Sequence, residues 1–184
     1  MIYAIATVLT VFIVALDQIT KNLIVTNLVL GQSSIPILGG LFNIVFVENE
    51  GGAWGFMQNN TWLLIAITVV IMIICFAMLI KYGLHSKMFF FSIVLVLSGG
   101  IGNLIDRVIR GSVVDFIQFG FWKTFPVFNI ADIAVCIGVG FLLLYFVLDI
   151  IKDFKAKKAV SDINTIIENE VVPNNSNENW NINI

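Results

Sequence analysis

Two carboxylic acids stand where apolar residues would be expected. Asp115 lies in Val113-Val114-Asp115-Phe116-Ile117 and Asp132 in Phe128-Asn129-Ile130-Ala131-Asp132-Ile133, 17 positions further on. An ionisable group inside or at the edge of a membrane span costs several kcal/mol unless something uses it. Two carboxyl groups held close together cannot both ionise cheaply, so one keeps a proton while the other stays charged. The ionised member can then draw a proton from a shared water while the neutral member donates to a carbonyl oxygen. That is enough to hydrolyse a peptide bond with no metal, no cofactor and no covalent intermediate. Rival chemistries lack parts: His85 is the single histidine, and no phosphate-cradling Gly-Lys-Ser/Thr element occurs.

The elements that must position these acids are membrane spans. The chain has 184 residues, of which 59% are hydrophobic and only 12% charged, with 16 Phe and 4 Trp. Mean hydropathy is +0.97, and a soluble domain carries roughly twice that charged fraction. A span needs about 20 mostly apolar residues, and the segments 2–25, 62–82, 88–109 and 130–151 qualify. The expected architecture is an all-α membrane protein, a bundle of four transmembrane helices in one domain over 1–158. Residues 1–16 lack the basic start of a signal peptide, and Asp17 and Lys21 interrupt where a cleavage site would fall, which favours a retained first span. In the long first loop, β-branched and aromatic residues over 42–47 favour extended structure. The third loop, 110–129, reads as turn-rich, with Gly111, Gly120 and Pro126. Residues 159–184 are polar and Asn-rich and read as a disordered tail.

Basic residues beside spans favour the cytoplasm. Lys81 and Lys87 lie between spans two and three and Lys152, Lys155, Lys157 and Lys158 follow span four, whereas the first loop has no Lys or Arg. Both termini are therefore expected inside, with the first and third loops outside. Asp17 and Lys21 on span one, Asn103, Asp106 and Arg107 on span three, and Asp132 on span four then share one depth, about 22 to 28 Å along their helices from the inner side. Span two has no charge between Trp62 and Ile80 and reads as scaffold.

Each constellation has a plainer reading beside the functional one. Asp17 and Lys21 are spaced i,i+4 and share a helix face; they form either a neutral structural ion pair or one that orders the outer loops around a site. Asn103, Asp106 and Arg107, at i, i+3 and i+4, are expected to face one direction, as a helix-packing knot or as part of a site, with Asp106 structural. Asn129 with Asp132 three residues on is also a helix N-terminal capping arrangement. Asn49-Glu50-Gly51-Gly52-Ala53-Trp54-Gly55 is a plain turn or a close backbone approach to a ligand. Asp149 and Asp153, mixed with lysines, read as solvated, and Cys75 and Cys136 as packing residues without metal or redox spacing.

Taken in order, these boxes resemble the lipoprotein signal peptidase (signal peptidase II) family of bacterial intramembrane aspartyl peptidases. Asp17-Gln18-Ile19-Thr20-Lys21, Asn49 to Gly55 with Gly51, Gly102-Asn103-Leu104-Ile105-Asp106-Arg107, Val114-Asp115-Phe116 and Phe128-Asn129-Ile130-Ala131-Asp132 are similar to five of its boxes. The resemblance implies that Asp115 and Asp132 are the catalytic pair. It makes Asn49, Asn103, Arg107 and Asn129 polar supports, with Asp17 and Lys21 near them. It also implies a small extracytoplasmic β-like cradle in the first outer loop and a multi-pass enzyme of the bacterial cytoplasmic membrane. The implied substrate is a diacylglyceryl-modified prolipoprotein cut just before its lipidated cysteine, in contact with membrane lipid, with globomycin, a cyclic peptide, as inhibitor. No nucleic-acid partner is expected from a net charge of −2, and nothing requires more than a monomer. A proton-coupled carrier or a non-catalytic assembly protein are the competing classes; a carrier would be expected to show internal repeats and midplane sites, which the sequence does not suggest.

Overall fold

Within lipid every backbone polar group must find its partner inside the segment, so long apolar runs become helices. A computed structural model describes residues 1–32 and 34–171. Its helices are α1 (Ile2–Asn27), α2 (Thr61–Tyr82), α3 (Lys87–Arg110) and α4 (Ile130–Val171). All four are long and apolar enough to cross a membrane. The chain divides into two units, Met1–Leu143 and Leu144–Ile184.

In the first unit α3 is central: half of its most apolar stretch is buried, against 17% for α1 and 6% for α2. Both α1 and α2 pack on it. Small residues allow the close approach that packing in lipid requires. A Cβ placed on Gly99 would clash with the Ala131 carbonyl oxygen. Ser86 caps the start of α3, its Oγ accepting from the Phe89 N–H. Gly111 ends it in the left-handed region (φ +81°), donating its N–H to the Arg107 carbonyl, a conformation that suits glycine.

Three antiparallel strands, β1 (Ser34–Ile37), β2 (Phe42–Asn49) and β3 (Val113–Phe119), form a sheet in the order β1-β2-β3. β2 covers the segment expected to be extended. β3 corrects the expectation of a merely turn-rich third loop, and its Val-Val-Asp-Phe-Ile-Gln-Phe sequence is strand-forming once β2 offers it a partner. Ile44 pairs with Ile117 but Val47 with Asp115, so β2 carries one extra residue. The bulge decides a side-chain position. Because faces alternate along a strand, the unbulged register would turn Asn49 away from Asp115. The observed one makes them diagonal neighbours.

After β3 the chain doubles back, Phe128 and Ile117 exchanging backbone hydrogen bonds of 3.0 and 2.8 Å. This return sets Asn129, at the head of α4, beside Asp115. Phe119 anchors it through ring contacts with Phe42, Phe121, Phe125 and Phe128.

The second unit begins within α4, which continues past the expected end at Ile151 and past Lys158 to Val171. Residues 159–171 are thus helix rather than loose tail. Val160, Ile163 and Ile167 recur at helical spacing, and no glycine or proline intervenes before Pro173. The rest of the expected tail, 172–184, lies outside the described residues.

Candidate active site

Asn129 stands between the two acids. Its side-chain Nδ2 donates to Asp115 Oδ1 at 2.7 Å, and its backbone N–H donates to Asp132 Oδ2 at 3.1 Å. The Asp132 backbone N–H returns a bond to Asn129 Oδ1 at 2.9 Å, completing the reciprocal cap that satisfies two free N–H groups of the helix start. Capping and site are one arrangement: the geometry that begins α4 also fixes the Asp132 carboxyl. The remaining carboxylate oxygens are held in the same way. Asn49 Nδ2 donates to Asp115 Oδ2 at 2.9 Å, and Asn103 Nδ2 to Asp132 Oδ1 at 2.7 Å.

A buried ion cluster lies behind the pair. Lys21, fully buried, sits 2.9 Å from Asp17 Oδ2, 2.9 Å from Asp106 Oδ2 and 2.9 Å from Asn103 Oδ1. Asp17 Oδ1 accepts from the Ala131 backbone N–H, tying α1 to the first turn of α4, and Asp106 Oδ2 accepts from the Val114 N–H beside Asp115. Gln18, inside the Asp-x-x-x-Lys box but marked by no spacing signal of its own, donates to Asp17, to the Gly102 carbonyl and to Asp106.

Asp115, Asp132, Asn49, Asn103 and Arg107 line one cavity of about 450 Å³, together with Trp54, Phe119, Phe125, Phe128 and the α4 residues Ile133, Val135, Cys136 and Ile137. Polar groups converge at one end of a largely apolar wall, the usual make-up of a binding site. Burial pushes the Asp115 carboxyl up to about 7, and the neighbouring Asp132 charge adds to it; the Asn49 and Asn129 amides and the Lys21 ammonium oppose the rise. Arg107 Nη2 donates to the Gly51 carbonyl at 3.2 Å, holding the glycine-rich turn against α3.

The expected residues meet, with two corrections. Asn103, Asp106 and Arg107 do not serve one place: Arg107 lines the cavity, Asp106 turns to Lys21, and Asn103 does both. A helix face is wide enough for i+3 and i+4 to diverge when neighbours of different charge lie on either side. Cys136 is no packing residue but is exposed and lines the cavity, one turn after Asp132 on α4. The aromatic wall was not anticipated, because it gathers residues from the 52–56 turn, β3 and the following loop that no local spacing links.

The geometry can be set beside known proteins. A family model described as signal peptidase (SPase) II matches residues 9–148. The chain belongs to the signal peptidase II family. A lipoprotein signal peptidase of Brevibacillus brevis is 45% identical over 137 residues, covering 74% of this chain and 91% of that protein. Two solved structures, each described as a bacterial membrane enzyme determined by the in meso method, superpose with TM-scores of 0.75 and 0.72 at 34% identity. They cover 79% and 78% of this chain and 89% and 92% of theirs. As a signal peptidase II the chain is a peptidase and a multi-pass membrane protein, which sets aside the carrier and the assembly protein.

Proposed function

We propose that this signal peptidase II removes signal peptides from diacylglyceryl-modified prolipoproteins as an aspartic endopeptidase, cutting just before the lipidated cysteine. The observation that carries the reading is the pair of hydrogen bonds by which Asn129 holds Asp115 and Asp132. Asp115, whose carboxyl burial raises to about 7, serves as the proton donor of the pair and Asp132 as its base. Asp132 takes a proton from a water lying between them as the water oxygen attacks the scissile carbonyl carbon, and Asp115 gives its proton to the carbonyl oxygen. The tetrahedral intermediate then collapses. The C–N bond breaks, Asp132 passes its proton to the leaving cysteine amine, and the hydroxyl returns a proton to Asp115 as the new carboxyl forms. Asn49, Asn103 and Asn129 orient the acids, and Arg107 with the Gly51 turn borders the peptide.

A lipidated substrate suits the position of the site. Burial of acyl chain in the bilayer is favourable by about 0.8 kcal/mol per CH₂, which brings the adjacent peptide bond to the membrane surface. Lys81 and Lys87, at the facing ends of α2 and α3, and the lysines after Ile151 support cytoplasmic termini, hence a site at the outer face of the bacterial cytoplasmic membrane. The protein is proposed to work as a monomer.

The test is cleavage of a diacylglyceryl precursor by the protein in lipid, with and without globomycin. Asp115→Asn and Asp132→Asn should each reduce turnover at least ~10³-fold while the variants still insert and fold, and globomycin should block the parent. Turnover within a few-fold of the parent in either variant would remove the two-aspartate mechanism.

A further inference from the structure

Lys21 takes no place in the reaction, yet all three of its N–H groups are committed inward, one each to Asp17 Oδ2, Asp106 Oδ2 and Asn103 Oδ1 at 2.9 Å. An ammonium only donates, so it obliges Asn103 to turn its oxygen inward and its Nδ2 outward, toward Asp132 Oδ1 at 2.7 Å. The same Asn103 oxygen accepts from Asn129 Nδ2 at 3.1 Å. That obliges Asn129 to present its amide nitrogen on the side where it also meets Asp115 Oδ1, at 2.7 Å, and its oxygen to the Asp132 N–H. One direction of donation runs from the ammonium through two amides to both carboxyl groups.

We infer that Lys21 is a positioning residue for the acid pair: its ammonium locks the Asn103 and Asn129 amides in the orientation that presents N–H to Asp132 and Asp115. The inference rests on the two-aspartate reading above. Without the ammonium, Asn103 can turn its oxygen toward Asp132, and that contact is favourable only when the carboxyl carries a proton. A pair protonated on both members has no base to activate water. The charged groups around this chain of bonds are Asp17 on α1, Asp106, Arg107 and Arg110 on α3, with Arg110 Nε 3.8 Å from Asp106, Asp115 on β3 and Asp132 on α4.

Removing Lys21 alone strands buried carboxylates, so the variant to make is Lys21→Met with Asp106→Asn, which removes one charge of each sign. On the diacylglyceryl precursor it should lose at least ~10-fold in kcat at neutral pH with KM within about threefold. The acid limb of its rate profile should move up by about one pH unit, so activity recovers relative to the parent as pH rises. Lys21→Met with Asp17→Asn removes one charge of each sign through the other carboxylate, leaves Asn103 in place, and should shift the same limb; it decides the matter if the first double variant does not fold. A purely structural Lys21 would lower folded yield and depress the rate equally at every pH. A parental acid limb in the folded variant overturns the inference while leaving the acid pair intact, provided that Asp115→Asn and Asp132→Asn are inactive. Activity in those two would instead remove the underlying reading.

Discussion

Asn129 donates its side-chain amide to Asp115 Oδ1 at 2.7 Å, so the residue that caps α4 is also a hydrogen-bond donor to the acid on β3. The helix start and the outer sheet are thereby registered to each other through one buried side chain.

Position 129 separates those two duties. Serine is nearly as good a cap as asparagine but too short to reach Asp115, whereas alanine does neither. Asn129→Ser and Asn129→Ala should both lose at least ~100-fold in turnover. Only the alanine variant should also lose about 0.5–2 kcal/mol of stability for the missing cap. Precursor cleavage and denaturation of the purified protein in detergent give the two readouts. Equal stability of the variants would mean that the Asn129 side chain does not cap the helix in solution.

The acid on β3 makes stability depend on pH. The ordinary Asp115 value of 3.8 rises to about 7 on folding, chiefly by burial. Between those limits the folded protein holds a proton that the unfolded chain has lost. Stability therefore falls as pH rises from about 4 to 7 and levels off above, by up to about 4 kcal/mol. Asp115→Asn should flatten that slope. A melting series across this range, parent against variant, measures it; a parent whose stability instead climbs from pH 4 to 7 by a slope absent from the variant would contradict the assignment.

Two neighbouring glycines on α3 should answer differently to one methyl group. A Cβ on Gly102 would come within 2.7 Å of Asp17 Oδ2 and 3.1 Å of Ala131 Cβ, while one on Gly100 meets only Met72 at 3.5 Å. Gly102→Ala is expected to cost about 1–3 kcal/mol by overpacking and to lower turnover by displacing α4. Gly100→Ala should be neutral or slightly stabilising, since alanine favours helix by about 1 kcal/mol. Thermal unfolding in detergent compares them directly.

Much of this site was legible in the sequence because membrane segments make polar residues conspicuous. Asp17, Lys21, Asn103, Asp132 and their shared depth could be read from the cost of placing them in lipid, and the Asp17–Lys21 pair from its i,i+4 spacing alone. The strand around Asp115 was not legible. It has the composition of one, but glycines bound it, and the partners that make it a strand, β2 and Phe128, lie far away or across a turn. The bulge that aims Asn49 is likewise a property of pairing and not of either strand. Asp106 and Arg107 diverge because Lys21 and the Gly51 carbonyl attract them to different sides, a choice made by other elements. The reach of α4 to Val171 is hidden by composition, because a polar, Asn-rich segment reads as loss of helix although the apolar spacing of Val160, Ile163 and Ile167 continues.

Arg107 offers a direct reading of how the peptide is held. One end of its guanidinium, Nη2, donates to the Gly51 carbonyl at 3.2 Å, while its buried Nε has no hydrogen-bond partner among the described residues. A buried donor left unpaired is costly, and this one belongs to a residue that lines the cavity with both acids. Re-aiming the guanidinium as substrate binds would let a substrate carbonyl reach it. Lysine at this position keeps the charge but loses the fork that serves two acceptors at once. Arg107→Lys should therefore raise KM for the diacylglyceryl precursor about tenfold, the equivalent of one hydrogen bond at ~1.4 kcal/mol, with kcat changed less than about threefold. If kcat falls tenfold while KM holds, the guanidinium acts on the transition state and not in binding the peptide.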